Sequence, residues 1–168
     1  MANVTFLDVM EYFETIATEH IAIQHSDSEK HFARINIDEV LGGLKTKLKF
    51  PALVVESPEG FFTDDTIDNV LRGYVIGFTI VDRVKPGDFD GEETVLAITE
   101  QMVMDIVSRL RKEHRDYSTA GIISRAFQLN TVRWNKVGPL WENCFGWRCT
   151  FQVQNPNSLA YDEEKWTS

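Results

Sequence analysis

Along the first twenty positions the apolar residues return at steps of three and four: Phe6, Val9, Met10, Phe13, Ile16, Ala17 and Ile21, with Asp8, Glu11, Glu14 and Glu19 on the other side. That is the period of one helical face. Thr5, with Asp8 three residues on, has the spacing of a capping box at the helix start. A helix lying on a membrane carries Lys and Arg on its polar face, so this acidic face predicts docking on a protein core. After the polar stretch HSDSEKH the period changes to two. Ala33, Ile35 and Ile37 of FARINI predict a short strand, and PALVVES, opened by Pro51, predicts an apolar one. Between them DEVLGGLKTKLKF is ambiguous, Asp38 being placed to cap a short helical turn that Gly42-Gly43 ends.

SPEGFFTDDTIDN reads as a long surface connection. In NVLRGYVIGFTIVDRV, by contrast, Val70, Tyr74, Ile76, Phe78 and Ile80 alternate through Gly73 and Gly77. The run predicts a long central strand whose glycines mark a bulge or a close backbone approach. VKPGDFDGEETVLAITEQ then puts acids before an apolar stripe. A calcium loop there would place Pro86 and Ala97 where it needs ligands, so the stretch reads instead as a helix start. Asp90 is the expected cap and Glu93 its capping-box partner, both favoured by the positive end of the helix dipole. The helix is expected over about residues 91 to 114, with Val95, Ile98, Met102, Ile106 and Leu110 on one stripe that Leu96, Val103 and Val107 widen. DYSTAGIISRAF reads as a connection. FQLNTVRWNKV and WRCTFQVQ read as strands joined by GPLWENCFG, a pairing that puts Trp134 near Trp147.

The order is helix, strands, helix, strands. It predicts an α+β fold in which a mostly antiparallel sheet of four to five strands carries two main helices on one face, with a mixed pair where the second helix crosses over. Residues 1–155 form the single domain and 156–168 a C-terminal tail, whose Trp166 packs either on its own domain or on a neighbour.

A net charge of −9 argues against a primary role in gripping nucleic acid. The basic clusters are KTKLK (45–49) and RLRKEHR (109–115), the latter suited to a helix C-terminus. No apolar run is long enough to span a bilayer, and MANVTFLDVMEYF has acids where a signal peptide has bases, so the chain is expected to stay in the cytoplasm or to leave it inside an assembly. Cys144 and Cys149 lie an odd number of residues apart, which on one strand points their thiols to opposite faces and disfavours a disulfide. Both are expected reduced. The histidines, His20, His25, His31 and His114, are expected at the surface. No GxSxG, HExxH, GxGxxG or P-loop occurs, and no catalytic, cofactor or metal residue is assigned.

From the first helix to the last strand, over roughly residues 4 to 155, the element order and texture resemble the tail terminator and tail completion (neck, head–tail connector) proteins of phages. FPALVVES, LRGYVIGFTIVDRV, EETVLAITEQMVMDIVSRL, FQLNTVRW and GWRCTFQVQNP carry the resemblance. It implies a structural protein of the virion, not an enzyme, without cofactor. It also implies assembly in the host cytoplasm as a homo-oligomeric ring, often hexameric, between tail tube and portal or connector proteins, with neither membrane nor sequence-specific nucleic acid as partner. Phe61, Phe62, Tyr161 and Trp166 are the candidate subunit contacts, chosen from expected exposure alone. Two rivals stand beside this. One is a ligand-binding or regulatory domain with a pocket lined by Trp134, Trp147 and Tyr74. The other is an enzyme holding a cation at Asp64, Asp65 and Asp68.

Overall fold

The alternating run around Phe78 becomes the spine of the molecule, a strand of 14 residues with partners on both edges. The structure, a computed structural model, describes residues 3–34, 48–64, 70–116, 118, 120–141 and 143–167. In chain order these form α1 (Phe6–Glu19), β1 (Phe32–Arg34), β2 (Ala52–Val55), β3 (Glu59–Asp64), β4 (Val70–Arg83), α2 (Phe89–Arg115), α3 (Ile122–Ala126), β5 (Phe127–Leu140), β6 (Cys144–Pro156) and a 3-10 turn (Glu163–Lys165). The sheet runs β1-β2-β4-β6-β5, with β3 also on β4. It is an α+β fold with two main helices on one face, and its six described strands exceed the four to five expected. Among the described strands the one parallel pair is β1–β2, not a pair spanned by the second helix. Ile35, Ile37 and the ambiguous Asp38–Gly43 stretch lie outside the described residues.

β3 corrects the expected surface connection. Val55 pairs with Phe78 and Glu59 with Val75, so three residues of the first strand face two of β4. β2 and β3 are therefore one strand interrupted by a bulge at residues 56–58, where Pro58 and Gly60 hide the period of two. The glycines of β4 permit close approach, as expected. A Cβ on Gly73 would lie 2.4 Å from the Phe61 ring, and one on Gly77 2.7 Å from the Glu56 carboxylate.

On the helix face, Phe13 and Ile16 of α1 and Met102, Val103, Ile106 and Leu110 of α2 close over Ile76, Phe78, Ile80, Phe151 and Val153. Phe13 meets Phe78 at 5.2 Å and Phe127 meets Phe151 edge-on at 5.4 Å. Each such ring stabilises by about 1.5–3 kcal/mol relative to exposure. On the opposite face Ala52, Val54, Val81, Trp141 and Cys144 make a smaller cluster. Beside it Arg148 grips Glu56 in a two-pronged ion pair at 2.5 and 2.7 Å, in the room Gly77 leaves. Cys144 and Cys149 fall in different clusters, both buried and neither in a disulfide, in keeping with the odd spacing.

The Thr5–Asp8 capping box is present. The cap of α2 is Asp88 instead of Asp90: its Oδ1 accepts from the Gly91 amide at 2.9 Å, and the Glu92 amide donates to its carbonyl. Gly91 allows this because a Cβ there would sit 2.4 Å from the Asp88 carboxylate. Near its start the buried face of the helix is turned by one residue from the expected stripe. Thr99 is buried and donates to the Val95 carbonyl at 2.7 Å, whereas Ile98 is 53 % exposed. The connection before β5 contains α3, whose Ile123 and Ala126 join the core. Both flanking strands extend into the expected loop GPLWENCFG, β5 to Leu140 and β6 from Cys144. Asn143, at φ 72°, exchanges hydrogen bonds with Val84 and pins this turn to the end of β4.

Candidate functional site

The register draws three of the features picked from sequence to one end of the sheet. Phe62 pairs with Arg72, which pairs with Asn155; Phe61 pairs with Gly73, which pairs with Gln154. Two strand spacings, about 10 Å, therefore separate the β3 aromatics from the end of β6, where the tail departs. Alternation sets the two phenylalanines apart. Phe61 lies half-buried against Gly73, while Phe62 points the other way and is 55 % exposed.

The tail leaves the sheet at Pro156, opposite Leu71, and the Asn157 amide makes a last backbone bond to Val70. Beyond it Leu159, Tyr161 and Trp166 are 59, 71 and 66 % exposed. Within the chain the Trp166 ring stacks on Tyr161 at 6.0 Å and 18° and does not reach the domain core. Asp162 builds this arrangement. Its side chain accepts from the Glu164 amide to start the 3-10 turn, and it pairs with Lys165 at 3.1 Å. The tail is thus a short arm ending in a two-ring platform flanked by carboxylates.

At the other border of the sheet β5 bonds only to β6 among the described strands. It holds Arg133 and Lys136 and no acid. The Arg133 guanidinium donates to the Asn130 and Val132 carbonyls, at 3.0 and 2.7 Å, and has no carboxylate partner among the described residues. Leu129, in the bulge between Gln128 and Arg133, is 47 % exposed and Trp134 45 %. This edge was missed in the sequence, yet it left a signal: residues 117 to 141 contain no Asp or Glu in a chain that has 26.

The residues of the rival pocket are spent elsewhere. Trp134 and Trp147 share the helix face as diagonal neighbours, as the hairpin predicted. Their indoles fasten α2 to the sheet, Trp134 through Glu100 at 3.0 Å and Trp147 through the Leu96 carbonyl at 2.9 Å. Tyr74 lies six residues along β4 from Ile80, the partner of Trp147, hence about 20 Å away, and accepts from Arg72 at 2.8 Å. Of the acidic trio, Asp64 ends β3 in solvent, and Asp65 and Asp68 lie outside the described residues. Among the described residues no group of three His, Cys, Asp or Glu side chains is placed to hold a metal ion.

Three of the histidines expected at the surface prove to be largely covered, His20, His25 and His31 having side chains 14, 11 and 12 % exposed. They staple the chain between α1 and β2: His25 Nδ1 accepts from the His31 amide, and His31 Nδ1 meets the Pro51 carbonyl at 2.8 Å. His114 Nδ1 meets the Ser124 carbonyl.

An open depression of about 620 Å³ lies at the C-terminal end of α2, lined by Ser108, Arg109, Lys112, Glu113 and Asp116. Its strongest charges are already engaged. Arg109 holds Glu113 at 2.7 Å and Glu19 of α1 at 2.6 Å, and Tyr12 donates to Glu113 at 2.9 Å. Burial, then the neighbouring Glu113 carboxylate, pushes the Tyr12 phenol far above its ordinary range. Burial likewise pushes the Cys149 thiol up to about 12, which keeps it protonated and unreactive. These groups clamp the helices together. Among the described residues the exposed large apolar side chains include those of the aromatic arm and the β5 edge, with Phe6, Leu7, Ile21, Phe62 and Phe89 elsewhere. The chain matches no family model, and no curated protein matches it.

Proposed function

We propose that this chain is a structural protein of a phage virion: one subunit of a homo-oligomeric ring, hexameric, at the head–tail junction or the end of the tail tube. The observation that carries the reading is the arm beyond Pro156, which holds Leu159, Tyr161 and Trp166 in solvent. Aromatic side chains presented this way are the usual anchors of protein contacts. The arm and the rest of the surface are unlike patches. A contact between unlike patches of identical chains is head-to-tail, and its repetition gives a ring where the rotation closes and a filament where it does not. The order of helices and strands, which resembles tail terminator and tail completion proteins, supports the same reading. So does the net charge of −9, which suits a channel wall that does not hold passing DNA. The tail tube on one side and portal or connector proteins on the other are the partners of such a ring, in the virion and during its assembly in the host cytoplasm.

Light scattering behind size exclusion over a concentration series, with negative-stain images of the heaviest peak, tests it. Rings of about six or twelve copies are expected. A chain that stays monomeric at every concentration and does not join purified tail tubes or portals overturns it.

A further inference from the structure

We infer that the C-terminal arm of one copy docks on the β5 edge of the next, and that this contact joins neighbours in the assembly. The inference rests on the ring reading above and names the two surfaces that meet. The arm offers Leu159, Tyr161 and Trp166 beside Asp162, Glu163 and Glu164. The β5 edge offers exposed Leu129 and, on the helix face, the half-exposed ring of Trp134 above its bond to Glu100; on the opposite face it offers the cation of Arg133, which no carboxylate pairs among the described residues. The arm's apolar side chains match Leu129 and Trp134, and its carboxylates match the Arg133 cation, so the two surfaces are chemically complementary.

Backbone geometry adds to it. β5 is 14 residues long and, among the described strands, bonded on one side only. Proteins cover or shorten such edges, because their free N–H and C=O groups accept an added strand. Residues 157–162 precede the 3-10 turn without regular structure, and Asp162 has extended backbone angles, the form an added strand takes. The Tyr161–Trp166 stack is set before any encounter by the Asp162 cap. Little ordering is left to oppose binding. The partner is therefore a second copy of this chain.

The test uses the full chain at low salt, read by light scattering and by tryptophan emission. Both arm substitutions lie in solvent and leave the fold intact. Tyr161→Ala with Trp166→Ala weakens self-association about a hundredfold. Arg133→Glu weakens it about tenfold, and adding Glu163→Lys and Glu164→Lys to Arg133→Glu restores it, which a merely structural role for Arg133 does not predict. In a mixture of Ala160→Cys and Asn130→Cys chains, mild oxidation links the two chains, the native thiols being buried. Rings that persist unchanged in the arm variant overturn this inference and leave the ring reading standing. A wild-type chain that stays monomeric overturns it too, whether Trp166 remains solvent-exposed or folds onto its own β5.

Discussion

Gly146 sits where β6 comes nearest to β4, opposite Val81. A Cβ built on it lies 1.8 Å from the Ile80 carbonyl oxygen, 2.8 Å from the Ile80 carbonyl carbon and 2.9 Å from the Val81 Cα. All three atoms are backbone, so no rotamer change relieves the overlap. Carbon and carbonyl oxygen approach to about 3.3 Å across a sheet, and Gly146→Ala therefore demands that the strands part by about 1.5 Å, a third of the usual spacing. Ladder bonds at about 2.9 Å do not survive that opening. Losing about two of them in the sheet centre, each leaving buried groups unpaired, costs about 3–5 kcal/mol. That is a large part of the 5–15 kcal/mol a domain typically has. Gly87→Ala is the comparison. Nothing lies within 4 Å of its Cβ, but its φ is +81°, so the cost is only that of a left-handed residue, about 1–2 kcal/mol. Urea unfolding followed by circular dichroism at one fixed protein concentration gives both numbers. If Gly146→Ala costs no more than Gly87→Ala, the packing of β6 on β4 described above is wrong.

Tyr12→Phe removes the bond to Glu113 but leaves Arg109 on that carboxylate, so a loss of about 1–2 kcal/mol is expected in the same urea assay; no loss would mean that the α1–α2 clamp is idle. Ile106→Ala in the buried stripe costs about 2–5 kcal/mol, whereas Ile98→Ser changes stability by less than about 0.5 kcal/mol; comparable costs at both positions would put the stripe where the sequence first suggests. The Cys149 thiol, raised by burial from the ordinary 9.0 to about 12, stays protonated in the folded chain at a pH where the unfolded chain has ionised. Its contribution is whole below about 9 and is lost as pH rises toward about 12, so stability falls across that window. Cys149→Ala makes the fall shallower in denaturant midpoints measured at pH 8 to 11; an unchanged slope refutes the assignment.

Strong periods were legible in the sequence: α1 with its capping box, β4 as a central strand, the α2 stripe to within one residue, and the opposite faces of Cys144 and Cys149. Short-range chemistry hid the rest. The bulge at residues 56–58 broke the alternation that would have shown β3, and one turn of helix, α3, is too short for a period of 3.6 to appear. Asp88 and Asp90 are both good caps, and the choice between them depended on Gly91 making room, a fact of space and not of composition. Of the candidate contacts, Phe62, Tyr161 and Trp166 are exposed, and Phe61 turns inward because adjacent strand positions face opposite ways. The β5 edge needed the strand order, since an acid-free stretch does not itself say which strand lies outermost.

The two halves of β4 differ in cover. Residues 76–81 are wholly buried, while residues 70–75, paired with β3, are half-open apart from Gly73. One strand thus carries two local stabilities: amides in the inner half exchange with solvent only when the whole domain unfolds, and those in the outer half exchange through smaller openings. The end of the sheet that bears Phe62 and the root of the arm is consequently the compliant end, able to adjust its shape to a neighbour while the helix-covered half holds its form.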